Sequence, residues 1–166
     1  TELSSGKSFD SLKAALPLGE LPIVSVVGAG GKTTVVKRLA KEYVRAAITT
    51  TTHMYNEAEL AKSAAEVSSA KGIVWFGTDE GEKISMSPFI DEVHDIPLII
   101  EADGSKHMPF KIPAEHEPAV YFRSTAVIGV LGLDAVGMTV EEAAFRPMDA
   151  ARFLGCGTKH IISCAD

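Results

Sequence analysis

The sequence predicts an α/β domain: a doubly wound, mainly parallel sheet with helices on both faces. Three observations predict it. Short runs rich in β-branched residues alternate with stretches whose apolar residues recur at helical spacing. The stretch "VVGAGGKTT" at residues 26–34 places three glycines between the first such run and the first amphipathic stretch. A later run, "IPLIIEADG", ends in two acids. At 166 residues the chain has the length of one domain with one good core.

The elements follow in order. "FDSLKAAL" reads as a short helix ending before Pro17, and "LPIVSVV" as a buried strand. In "TTVVKRLAKEYV", Val35, Val36, Leu39, Ala40 and Tyr43 fall on one helical stripe, with Lys37, Arg38, Lys41 and Glu42 largely opposite. "RAAITTTTHM" is a second strand ending in threonines, and "NEAELAKSAAEVSSA" is helical in propensity. "GIVWFG" is a third strand, "PFIDEV" a helical turn and "IPLIIEADG" a fourth strand. "SKHMPFKIPAEHEP" carries three prolines and reads as loop. "TAVIGVLGLDAVG" is a fifth strand and turn, followed by helical pieces at "VEEAAF" and "MDAARFL". The junction near Arg45 is too abrupt for a helix-to-strand connection, and missing residues are expected there. The chain begins with Thr and stops after "HIISCAD", so a processed or incomplete N-terminus and a missing C-terminal portion are expected.

Composition narrows the function. Hydrophobic residues make up 46% and charged residues 23%, an ordinary globular balance. A net charge of -6 argues against a broad nucleic-acid surface but leaves room for a local basic pocket. No run approaches the roughly 18 apolar residues of a membrane span, and the polar start lacks a signal-peptide core. Cys156 and Cys164 are too few for a disulfide framework, and their spacing with His160 fits no metal pattern, so both are expected to pack structurally. A cytoplasmic protein with neither nucleic-acid nor membrane partners is expected.

The glycines carry the sharpest signal. A strand end that opens a helix presents unpaired N–H groups and a positive dipole end, which suit phosphate. Gly28, Ala29, Gly30, Gly31, Lys32, Thr33 and Thr34 are therefore the candidate nucleotide-binding residues. Lys32 adds charge for the outer phosphates, and Thr33 offers its hydroxyl to magnesium. Gly31-Lys32-Thr33 fits the end of the P-loop pattern, although Val26 stands where its first glycine belongs. A dinucleotide fingerprint would need glycine at Thr33 and an acid at the end of the second strand. A plain turn explains the glycines but not Lys-Thr-Thr. Lys32 is expected at the exposed mouth of the loop, so Lys32→Ala should abolish triphosphate binding and cost little stability.

A P-loop needs an acid at a neighbouring strand end. Glu101 and Asp103, at i and i+2, share one side if the strand continues through Asp103. Asp103 is the candidate magnesium residue with Thr33, and Thr51 is a further candidate from the threonine cluster. Lys32, Glu101 and Asp103 are the candidate catalytic residues. His53, Lys111, Glu115 and His116 are candidates for a second substrate. Loops at the C-terminal ends of parallel strands form the ligand crevice in such sheets. The expected ligands are Mg2+ and a nucleoside triphosphate, ATP or GTP.

"VVGAGGKTT", "TTTTHMY", "IEADGSKHMPFKIPAEHEP", "VIGVLGLDAVG" and "FRP" occur in that order between Ile23 and Pro147. Together they resemble the YqeC family. The resemblance implies a P-loop NTPase-like fold in a chain that extends through a further strand and helices. It also implies an accessory role in maturing the selenium-containing cofactor of molybdenum hydroxylases, with such a hydroxylase or its cofactor as partner. The Gly-Lys-Thr-Thr ending is also similar to that of Mur-type ligases. The expected activity is magnesium-dependent NTP hydrolysis or phosphoryl transfer to a small substrate. A non-catalytic nucleotide-gated cofactor chaperone is the alternative.

Overall fold

Alternation along β1, Ile23–Gly28, sets the architecture. Val24 and Val26 enter one apolar cluster, while Ile23 and Val27 pack against another. A strand buried on both faces is what a parallel sheet requires. The computed structural model describes residues 8–166; most of the polar N-terminal stretch lies outside the described residues.

Five further strands join β1: β2 (Ala46–Thr50), β4 (Leu60–Ala61), β5 (Ile73–Phe76), β8 (Leu98–Glu101) and β10 (Ala126–Val130). Their order is β10-β1-β8-β2-β5-β4, with every pairing parallel. Helix α2, Lys32–Ala40, buries Val36, Leu39 and Ala40 in the cluster that holds Val24, Val26, Ile48 and Ile99. Helix α3, Ala64–Ser69, and the 3-10 turn Ile90–Glu92 cover the opposite face through Val67 and Ile90, against Ala47, Leu98 and Ile100. Each fully buried Val, Leu or Ile contributes about 1.5–3 kcal/mol relative to exposure, so the two clusters hold the layers together.

Four local readings change. Helix α2 ends at Ala40, and residues 41–45 form a five-residue link to β2. Arg45 anchors that link by donating to the carbonyls of Ser68 and Asp95. The predicted 56–70 helix is shorter. Leu60 and Ala61 pair with β5 first, and the Ser63 hydroxyl then caps α3 by accepting from the Glu66 N–H. The second strand breaks after Thr50, and β3 (His53–Tyr55) joins a separate antiparallel sheet with β7 (Lys83–Ser85) and β6 (Thr78–Asp79). The proline-rich loop contributes β9, Phe110–Lys111, which pairs in parallel with β11, Ala144–Phe145.

The C-terminal elements are helix α4 (Val140–Ala143), β11 and helix α5 (Pro147–Leu154). They pack a third cluster around Val140, Ala143, Ala150 and Ile162, with Cys156 against it. Cys164 is exposed, contrary to the packing expected of it. Among the described residues no helix is long and apolar enough to cross a membrane.

Candidate functional site

Register builds the site. Glu101, the last residue of β8, is level with Val26 on β1 and Thr50 on β2. It therefore sits between the two strands at their C-terminal ends, where the loop after β1 turns into α2. That loop runs through positive φ at Gly28, Gly30 and Gly31. A Cβ on Gly28 would lie 2.2 Å from the Val130 carbonyl oxygen. Close approach of the end of β10, whose Val130 is level with Gly28, accounts for that glycine. Gly31 differs: its φ is 106° and nothing lies within 4 Å of where a Cβ would project. No side chain caps α2 at Gly31, which leaves the first N–H groups of the helix without a side-chain acceptor from that position.

A cavity of about 1110 Å³ opens in front of this helix end. Gly30, Gly31, Lys32, Thr33 and Thr34 form one wall, with Glu101 and Ser105 beside them. The Thr33 hydroxyl donates to Glu101 Oε2 at 2.6 Å. The Lys32 ammonium donates to the Gly28 carbonyl at 2.8 Å and to Ser105 Oγ at 3.1 Å. Lys32 is only 5% exposed, so it does not stand at an exposed mouth. Burial pushes its pKa down, against the opposing charges of Glu101 and Asp103. Burial pushes the Glu101 carboxyl up, and the Thr33 hydrogen bond and Lys32 oppose that rise.

Asp103 lies past the end of β8 and is buried. Its Oδ2 accepts from the Gly28 N–H at 3.2 Å, and its Oδ1 pairs with Lys111. Each of its oxygens thus carries one partner, and the acid that meets the Thr33 hydroxyl is Glu101. Lys111 is buried as well; it also donates to the Gly104 carbonyl and sits 3.0 Å from Glu117. Arg146 grips Glu117 through both guanidinium nitrogens. The Arg146 hydrogen bond, helped by Lys111, holds the Glu117 pKa at about 2.

The threonine cluster divides its labour. The Thr50 hydroxyl donates to the Glu101 carbonyl, and the Thr51 hydroxyl donates to the Ala119 carbonyl at 2.5 Å. Thr52 lines the cavity. Of the four residues expected to meet a second substrate, His53 lines the cavity, whereas Lys111, Glu115 and His116 do not; Glu115 and His116 are exposed. Further lining comes from Lys37, Glu57, Tyr55, Lys83, His107 and Asp134, with Met54, Gly104 and Lys106 between them. Tyr55 and Lys83 escaped sequence reasoning because they meet only through the pairing of β3 with β7, two short strands far apart in sequence. Their signal was alternation: Met54 and Ile84 are buried while Tyr55 and Lys83 are exposed.

The residues present fit a phosphate group bound with a small divalent cation. The uncapped α2 terminus and Lys32 suit the anion, and the Thr33 hydroxyl and Glu101 carboxylate are hard oxygen donors. Among the described residues no cluster of three or more His, Cys, Asp or Glu is placed to hold a metal by itself.

Fold and site together define an α/β crevice protein, with a cation-rich cavity where a glycine loop enters a helix at the C-terminal edge of a parallel sheet. The family model described as "YqeC protein" matches residues 24–148. A protein of Escherichia coli (strain K12) bearing the name "Uncharacterized protein YqeC" is 34% identical over 139 residues, covering 71% of this chain and 54% of that relative. The chain belongs to the YqeC family, and it spans about half the length of this curated relative. No solved structure matches it.

Proposed function

We propose that the chain is a P-loop-type protein that binds a magnesium nucleoside triphosphate. One observation carries the reading: the Thr33 hydroxyl and Glu101 carboxylate meet 2.6 Å apart beside Lys32 and the uncapped end of α2. The backbone of residues 28–34 would hold the phosphates and Lys32 the outer ones. Thr33 and Glu101 would hold the cation, which supplies charge neutralisation when bound. Asp103 takes a positioning part, fixing the Gly28 N–H and Lys111. Glu101 or Asp103 would position the nucleophile. Hydrolysis or phosphoryl transfer is thus the primary reading. Resemblance extends it to an accessory role in maturing a selenium-containing molybdenum hydroxylase in the cytoplasm.

A nucleotide-gated chaperone is the second reading, and one feature favours it. Asp103 binds the Gly28 N–H and connects through Lys111 and Glu117 to Arg146 at the head of α5. That bonded chain joins the glycine loop to the C-terminal elements. A nucleotide would drive such a device only through unequal affinity for two conformations.

Calorimetry with ATP and GTP, with and without magnesium, tests the common claim. Magnesium-dependent binding of either is expected, and no binding of either by the full-length protein removes it. Steady-state phosphate release separates the readings. Turnover stimulated by a small acceptor marks the enzyme. Very slow turnover with nucleotide-dependent capture of a hydroxylase marks the chaperone.

A further inference from the structure

The cavity is larger than the phosphate wall requires, and its far side is built differently. On β3 and β7, Tyr55 stands directly across from Lys83, and His53 shares their face. The opposite face of this pair, Met54 and Ile84, is buried in the core. A sheet with one face in the core thus presents a ring and a cation to the cavity. From the loop after β8, the His107 ring meets Tyr55 at 5.7 Å between centroids with 26° between planes. Lys83 lies 5.4 Å from the Tyr55 ring centre. Lys106 and His107 both adopt left-handed backbone, at φ 49° and 63°, without being glycine. Strain of this kind is held by its surroundings and clusters where side chains must be aimed.

Charge completes the picture. Lys32, Lys37, Lys83 and Lys106 line the cavity of a chain whose net charge is -6. Lys37 is paired with Glu57. Among the described residues neither Lys83 nor Lys106 forms a salt bridge; Lys83 approaches the Tyr55 ring, whereas the Lys106 ammonium lies 5.4 Å from the Phe145 ring. His53 on the same face pairs with Glu80, so the wall offers a half-exposed aromatic pair with Lys83 beside it and without a carboxylate partner, a surface for a ligand that is flat and negative.

We infer that this far wall is a second-ligand subsite for a small planar anion, seated on the Tyr55–His107 rings with its charge toward Lys83 and Lys106. The inference deepens the proposed function and rests on it for orientation. The Lys32 ammonium, assigned to the outer phosphates, reaches Ser105, two residues before His107. The ring pair therefore flanks the outer-phosphate end. On another side of the loop, Gly30 abuts the Gly132 backbone, and Asp134 lines the cavity. The nucleoside belongs on that side, and the rings are left for the second ligand.

Fluorescence titration with 1-naphthyl phosphate tests the subsite, with cyclohexyl phosphate and inorganic phosphate as comparisons. The aromatic phosphate should bind at least about tenfold more tightly than the saturated one. Tyr55→Leu and Lys83→Ala should each weaken it about tenfold, and Tyr55→Phe should restore it. Tyr55 is 46% exposed, so these variants should fold, as circular dichroism would verify. Binding should persist with saturating magnesium and a non-hydrolysable ATP analogue. Equal affinity for the two organic phosphates, insensitivity to Tyr55→Leu, or displacement by the analogue would each overturn the inference. If naphthyl phosphate binds as described but ATP and GTP do not, the subsite stands and the nucleotide reading falls.

Discussion

Glu101 owes its place to where β8 stops. Sequence spacing put Glu101 and Asp103 on one side of a strand, and that holds only while the strand continues. Strand β8 ends at Glu101, so Glu101 stays between β1 and β2 while Asp103 turns into the Lys111 pair. The presence of an acid beside the loop was legible; which acid was not, because strand length is fixed by neighbours. Lys32 gives a second lesson at this scale. The triplet Gly-Lys-Thr marked it as a phosphate ligand, but no local signal showed that its ammonium would be buried on Gly28 and Ser105. Lys32→Ala is therefore expected to lower stability by about 1–3 kcal/mol, as for loss of a buried charged hydrogen-bond donor. Urea unfolding measures this, and a change within about 0.5 kcal/mol would restore the surface picture.

The glycine loop shows why element-level reading needs the neighbours of an element. Its glycines look alike in sequence and answer to different demands. Gly28→Ala would drive a methyl into the Val130 carbonyl at positive φ, and a loss of about 3 kcal/mol or more is expected. Gly31→Ala meets only the left-handed backbone in open space, so about 1–2 kcal/mol is expected. Thermal or urea unfolding of both variants checks the order. Equal losses would mean that packing against the end of β10 is not what Gly28 serves. Other elements differed in legibility for related reasons. Strands β1, β2, β5, β8 and β10 stood out as apolar runs. Ser63 with Glu66 spelled a helix start that broad propensity over residues 56–70 concealed. The β6–β7 hairpin was hidden, since "TDEGEKIS" buries only Ile84.

Across the whole molecule, Lys111 and Glu117 tie the crevice to the C-terminal cluster. The sequence marks Lys111 as a substrate candidate; its pairing with Asp103 and Glu117, and that of Glu117 with Arg146, arise only from tertiary packing. Glu117 has a folded-state pKa of about 2 against an ordinary 4.5. A carboxyl lowered in this way stabilises the fold above its unfolded value, and that contribution fades as pH falls from about 4.5 toward 2. Glu117→Gln should lower stability at pH 7 and flatten the pH dependence in that acid window, as read by urea midpoints at a series of pH values. An unchanged acid slope would show that Glu117 does not carry it.

The central claim is that Thr33 and Glu101, beside Lys32, form the cation side of a triphosphate site. The most direct measurement is the magnesium dependence of ATP affinity, by calorimetry, in the unaltered protein, Thr33→Val and Glu101→Gln. Magnesium should tighten binding at least about tenfold in the unaltered protein. Both variants should lose that increment while keeping the weaker magnesium-free binding to α2 and Lys32. Absence of ATP and GTP binding, or a magnesium increment that survives in both variants, would contradict the account.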